Sequence, residues 1–180
     1  MSLIYITGMS GSGKSTVLRE LSRRGFEAHG VDEEGYADWV SLETRKIKPY
    51  PHHDPPTGND LHRWFADHDW VLSLERISEL KAKADAGGNK VIFLCGAANG
   101  DKDVWHLFDK VILLSVDGET IKKRVMERED NEYGKHPDEM TNIMKWLEGY
   151  NDKYRELGAE LVDARQPLVQ VVDEVIKIAE

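Results

Sequence analysis

Residues 3–16 read LIYITGMSGSGKST, and this stretch decides the fold. Its first part, Leu3 to Thr7, is an apolar run of strand length. Its second part, Gly8 to Ser15, fits GxxxxGK[ST] at every fixed position. A helix is predicted immediately afterwards, because Val17, Leu18 and Leu21 share one helical face and Gly25 supplies a stop. The motif therefore stands between a strand and a helix, the setting its mechanism requires. Glycines at 8, 11 and 13 let the backbone turn its amides inward around phosphate oxygens, and the helix dipole adds positive potential there. Ser10 and Ser12 belong to the same cradle. Lys14 is placed to reach β- and γ-phosphates, Ser15 to hold Mg²⁺ and Thr16 to donate to the α-phosphate. The expected ligand is ATP or a close relative.

Working outward, apolar runs alternate with segments of helical period. A short strand is expected over Glu27 to Val31, ending at Asp32, and GYADWVSLETRK after it reads as helical. KPYPHHDPPTGND, residues 48–60, reads as loop because its prolines and small polar residues break regular structure. Ile77, Leu80 and Ala84 give a helix from Leu74 to the glycines at 87 and 88. The buried strand VIFLC and the loop GAANG, residues 96–100, follow. VILLSV is the next strand, and Asp117 can cap a helix carrying Ile121 and Val125 inward, with Arg124 and Arg128 on another face, running into DNEYGKH. Pro137 opens one further helix with Met140, Ile143, Met144, Leu147 and Tyr154 inward, ending at Gly158. A strand AELVDA, a turn RQP and a helix with Leu168, Val172, Val175 and Ile176 inward close the chain. Such alternation implies a parallel sheet covered on both faces, with ligands at the carboxyl ends of its strands.

Composition bounds the function. A chain of 180 residues with 40% hydrophobic and 32% charged side chains suits one folded domain, here 1–180. With 24 basic against 33 acidic side chains, a formal charge of −9 opposes counterion-release binding to nucleic acid and favours a small-molecule partner. The opening MSLIYITG has neither the apolar length nor the basic flank of a signal peptide or membrane span, so a cytoplasmic location and no membrane partner are expected. Cys95, the single cysteine, sits in an apolar run and reads as a buried small hydrophobe. His52, His53 and Asp54 lack a fourth ligand at metal spacing.

Asp32 after the second strand, the loop Gly96 to Gly100 after the third, Arg124 and Arg128 before a short segment, and the ending VDARQP extend the match beyond the phosphate loop. With these residues the chain resembles the small P-loop kinases, the group of nucleoside monophosphate kinases, shikimate kinase and gluconate kinase. That resemblance implies a three-layer α/β P-loop NTPase fold with a five-stranded parallel sheet in the order 2-3-1-4-5, and helices on both faces. It implies lid arginines at Arg124 and Arg128 over a short lid, 129–137, to which Lys135 adds a charge. It also implies an adenine border at Arg165 and Pro167, and a monomer or homodimer as the working unit. The third strand lacks the DG motif typical of nucleoside monophosphate kinases.

The substrate region is expected over 33–70. Asp32 can accept a proton from an acceptor hydroxyl or hold Mg²⁺ through water, with Glu33 and Glu34 as neighbouring alternatives. Arg45 and Arg63 can clamp an anionic acceptor, and Gly96 lies on the same side. Trp39, Trp64, Phe65 and Trp70 can stack on a planar ring or pack under the loop. The acceptor, hydroxyl or phosphate, stays open. Two other readings stand beside a kinase of MgATP: a nucleotide-binding regulator without acceptor, and a GTPase. The GTPase is disfavoured because DEEG at 32–35 lies too near the phosphate loop and NKVI at 89–92 lacks the aspartate that reads guanine.

Overall fold

The computed structural model describes residues 2–51, 58–87, 91–129 and 133–180. His52, His53 and Asp54 lie outside these residues, as do 130–132 of the expected lid. Five parallel strands form the central sheet: β1 (Ser2–Thr7), β2 (Glu27–Gly30), β5 (Val91–Cys95), β6 (Lys110–Ser115) and β7 (Glu160–Asp163). Their order is β2-β5-β1-β6-β7. Counting only the strands of this sheet, that is the expected 2-3-1-4-5. β1 is central, paired on both sides, with Ile4 opposite Phe93 in β5 and Tyr5 opposite Val111 in β6.

The continuous apolar runs of β1, β5 and β6 follow from burial of both sheet faces. Side chains alternate between two cores. Ile4, Ile6, Phe93, Ile112 and Leu114 meet α1 (Lys14–Arg23), α5 (Gly118–Glu127), α6 (Pro137–Leu147) and α8 (Leu168–Ala179) on one face. Leu3, Tyr5, Ile92, Leu94 and Leu113 meet α3 (Leu74–Ala86), α4 (Asp101–Val104) and Tyr154 of α7 (Tyr150–Glu156) on the other. Cys95 is buried in the first core, and burial pushes its thiol up, as suits an inert hydrophobe.

Five expectations are corrected. GYADWVSLETRK is not helical: Ala37–Ser41 is β3, which pairs antiparallel with β4 (His68–Leu72), Trp39 opposite Trp70. Its partner lies across the loop and α2 (Gly58–Asp67), so nothing local to β3 announces the pairing, and Ala37 and Leu72 anchor the hairpin's base in the core. α2 itself begins at Gly58, inside the segment read as loop.

α5 stops at Glu127, and Arg128 is extended, so Arg124 and Arg128 do not share a helical face. The chain must leave the helix there because it folds back over it. A Cβ on Gly134 would come within 2.8 Å of both a Val125 methyl and the Ile143 side chain. The expected single helix from Pro137 is two, broken at Glu148 and Gly149. Ile143 belongs to one core and Tyr154 to the other, and a single straight helix cannot serve both sheet faces. Leu168 is exposed in the first turn of α8, where Val171 takes the inward place.

Candidate functional site

Segments leaving the strands gather along the carboxyl edge of the sheet: the phosphate loop after β1, Asp32 after β2, Gly96 after β5, Asp117 after β6 and Arg165 after β7. The loop is pressed tightly against its surroundings. A Cβ on Gly8 would lie 2.9 Å from the carbonyl oxygen of Leu114, and one on Gly11 3.0 Å from a Val125 methyl. Gly13, in the left-handed region at φ 102°, turns the chain into α1, where the Thr16 and Val17 amides donate to its carbonyl at 3.0 and 2.9 Å. Ser12 is buried, and its Oγ has no hydrogen-bond partner among the described residues. Ser15 and Thr16 are exposed on the first turn of α1.

Lys14 donates from Nζ to the carbonyl oxygens of Gly8 at 2.7 Å and Met9 at 3.0 Å, so its head stays over the loop. Burial lowers its ammonium to about 8, with Asp32 pulling it back up and Arg128 pushing it further down. Arg128 donates to Ser10 Oγ at 3.3 Å and to the carbonyl of Tyr133, bridging the phosphate loop and the segment after it. Arg124 points elsewhere. It donates to the Ser12 carbonyl at 3.1 Å and the Ala164 carbonyl at 2.7 Å, tying the phosphate loop to the turn after β7. Of the two expected lid arginines, Arg128 is therefore a bridge to Tyr133 and Arg124 an internal strut.

The three carboxylates after β2 separate. Glu34 accepts from the Gly30 amide at 3.1 Å and meets His29 Nδ1 at 2.7 Å, while Glu33 covers Gly30, where a Cβ would lie 2.0 Å from its Oε2. Asp32 accepts from the indole N–H of Trp70 at 3.2 Å. Desolvation by the surrounding chain, then the charge of Glu33, raise the Asp32 carboxyl, and Lys14 and Trp70 oppose the rise.

Gly96 is set by packing: its amide donates to Ile6 at 3.0 Å, and a Cβ would fall 2.3 Å from that of Val31. Asn99, which sequence reasoning missed, pairs with the hairpin through its backbone, N to the Trp70 carbonyl at 2.7 Å and O from the Leu72 amide at 3.1 Å. Backbone pairing across such distance leaves no local signal. Trp39 lies amid Tyr50, Trp64, Phe65 and Trp70, with ring centroids 5.3–6.5 Å away, so these rings pack on one another. Arg63 is exposed on α2 beside Trp64. Arg45 is exposed in the turn beyond Ser41, about 7 Å along the strand past Trp39.

At the β7 end, Arg165 binds Asp163 at 2.8 Å and Asp117 at 3.2 Å, which raises the guanidinium and holds Asp163 down to about 2. Asp117 caps α5 through the Thr120 amide at 2.7 Å, so this triad joins the turn after β7 to the start of α5. Pro167, exposed, caps α8. Among the described residues, no group of three or more His, Cys, Asp or Glu side chains could hold a metal ion, and no helix is long and apolar enough to cross a membrane.

A family model described as an AAA domain matches residues 4–145, from β1 through most of α6. The chain belongs to this AAA domain family of P-loop NTPases. Among curated proteins none matches the sequence. Solved structures share the fold of this AAA domain over nearly its whole length. A shikimate kinase from Acinetobacter baumannii in complex with shikimate has a TM-score of 0.61 and 16% identity, covering 99% of this chain and 92% of its own. A sugar kinase from Janibacter sp. HTCC2649 has a TM-score of 0.56 and 22% identity, covering 98% and 93%. A gluconokinase from Sinorhizobium meliloti 1021 has a TM-score of 0.54 and 20% identity, covering 99% and 93%.

Proposed function

We propose that this AAA domain chain is a phosphotransferase that moves the γ-phosphoryl group of MgATP to a small-molecule acceptor. The observation that carries the reading is the convergence on Lys14 at the start of α1, with Arg128, on Ser10 of the same loop, near enough to disfavour its charge and Asp32 near enough to favour it. Like charges held together are costly unless an anion is to be bound between them, and a raised carboxyl suits a group that must take up a proton. The similarity to sugar, shikimate and gluconate kinases supports the same reading.

The residues present fit a nucleoside triphosphate. Ser12 offers a buried hydroxyl without a partner among the described residues, Gly8 and Gly11 leave room only for backbone, and α1 begins at the end of the loop, where its dipole favours an anion. Ser15, with Asp32 through water, would hold Mg²⁺, both being hard oxygen donors. Bound there, the metal would neutralise charge on the β- and γ-phosphate oxygens. Lys14 and Arg128 stabilise charge on the transferring group, Asp32 receives the acceptor proton, and Arg165 with Pro167 borders the base. Residues 33–70 form the acceptor region and 129–137 the lid of this single domain.

Alanine at 124 and at 128 tests the roles. Arg128→Ala should lower kcat by a hundredfold or more, as removal of a group that stabilises developing charge does. Arg124→Ala should mainly raise KM for ATP and lower stability by about 1.5–3 kcal/mol, the worth of hydrogen bonds from a charged donor. Steady-state kinetics with ADP detection reads both. Equal kinetics in both variants would reject the division of labour. Nucleotide binding without acceptor-stimulated ADP release would favour a regulator.

A further inference from the structure

The indole of Trp70 reaches from β4 to Asp32, placing its N–H 3.2 Å from Oδ1. The two oxygens of a carboxylate are about 2.2 Å apart, and a hydroxyl donating to the free oxygen lies about 2.7 Å beyond it. An alcohol that hands its proton to the other oxygen of Asp32 therefore lies within about 8 Å of the indole nitrogen, near enough for its ring to reach the indole. Trp70 is only half-buried, so part of it is open. Its position is fixed from two directions: Trp39 packs against it at 5.3 Å, and Asn99 clamps its backbone to the loop after β5.

Charge narrows the acceptor further. Asp32 and Glu33 stand together at this end of β2, and Lys14, the cation that opposes their charge there, is given to the triphosphate in the phosphotransferase reading. Arg76, at the start of α3, is committed to the Gly35 carbonyl and to Asp38 at 3.4 Å. A second phosphate or carboxylate brought to Asp32 would meet like charge, whereas an alcohol O–H meets an acceptor.

We infer that Trp70 forms the wall of the acceptor subsite, and that the acceptor is a ring alcohol whose ring lies on the indole while its reacting hydroxyl is bonded to Asp32. The inference rests on the phosphotransferase reading and names its substrate class. In the reaction the alcohol O–H bond breaks, its proton passes to Asp32, and the oxygen attacks the γ-phosphorus of ATP. The bond from that phosphorus to the β–γ bridging oxygen breaks, leaving ADP and a phosphate monoester. Trp70 is a positioning residue for the base and a contact for the ring.

The test measures ADP release by the full chain with ATP against three sets of compounds. Ring alcohols comprise neutral sugars, amino sugars, cyclitols and nucleosides; open-chain polyols such as glycerol and sorbitol form the second set. Sugar acids and sugar phosphates, which exposed Lys48 at the hairpin edge would favour, form the third. Stimulation is expected from the first set, its members then separating sugars from nucleosides. With the best of them, Trp70→Ala should raise the acceptor KM about tenfold, the usual worth of one aromatic contact, with KM for ATP unchanged. Trp70→Phe keeps an aromatic ring, so it should retain most of the acceptor affinity that Trp70→Ala loses. Preference for open-chain or acidic acceptors, or an acceptor KM untouched in Trp70→Ala, would overturn this inference and leave the phosphotransferase standing. Stimulation by none of the compounds would reject the phosphotransferase itself, and this inference with it.

Discussion

At the scale of the residue, Lys14 shows how a motif and its surroundings divide the explanation. The motif places the lysine; the loop folded around it removes water and lowers its ammonium to about 8. Phosphate oxygens beside the head would raise it again, so above pH 8 nucleotide binding should take up a proton. ATP affinity should then fall as pH rises past that value, by up to about tenfold per unit. Calorimetry in buffers of different ionisation enthalpy measures the uptake, and Lys14→Arg should abolish it because a guanidinium does not titrate there. Binding at pH 9 without proton uptake in the native chain would mean that Lys14 does not meet the phosphates. The roles of Arg124 and Arg128 were less legible. Their spacing of four suggested one helical face, but α5 ends between them and their hydrogen bonds diverge to Ala164 and Tyr133.

At the scale of the element, two glycines mark positions where the chain changes course for different reasons. Gly149 lies at φ 71° with no atom within 4 Å of an added Cβ, so Gly149→Ala should cost about 1 kcal/mol, through backbone conformation alone. Gly96 meets the Cβ of Val31 at 2.3 Å, and Gly96→Ala should cost about 1–3 kcal/mol through overpacking at the end of β5. The distinction is measurable by urea denaturation. Gly96→Ala should cost less in a Val31→Gly background, where the opposing Cβ is gone, and an equal cost in both backgrounds would show that this contact is not the cause. Element types were legible wherever apolar period was strong, as in β1, β5, β6, α1 and α3. The hairpin of β3 and β4 was not, because its strands are half-exposed, short and joined through a distant partner.

At the scale of the whole molecule, ion pairs join segments far apart in sequence. Arg23 and Arg24 hold the Glu20 carboxyl down to about 2, and Arg24 reaches on to Asp173 in α8. Arg165 holds Asp163 down to about 2, while Asp117 and Asp109 are lowered by hydrogen bonds that Thr120 and Leu3 supply in part. These folded values lie below the ordinary 3.8 and 4.5 of free carboxyls, so their stabilisation is complete above pH 4.5 and is lost as pH falls toward 2. The urea midpoint should accordingly decline across that interval, and a flat midpoint down to pH 2.5 would contradict the assignment. Salt should blunt the effect because most of these groups are exposed. The sequence by itself determined the phosphate loop and a parallel sheet buried on two faces, because glycine spacing and apolar period are local and act wherever the chain goes; the strand order was implied only by the resemblance to small P-loop kinases. Only the tertiary structure decided which carboxylate meets Trp70, which arginine braces the loop and which reaches Tyr133, and where the hairpin docks. Those outcomes depend on pairs of residues brought together across the sheet edge, and no local pattern encodes a distance between them.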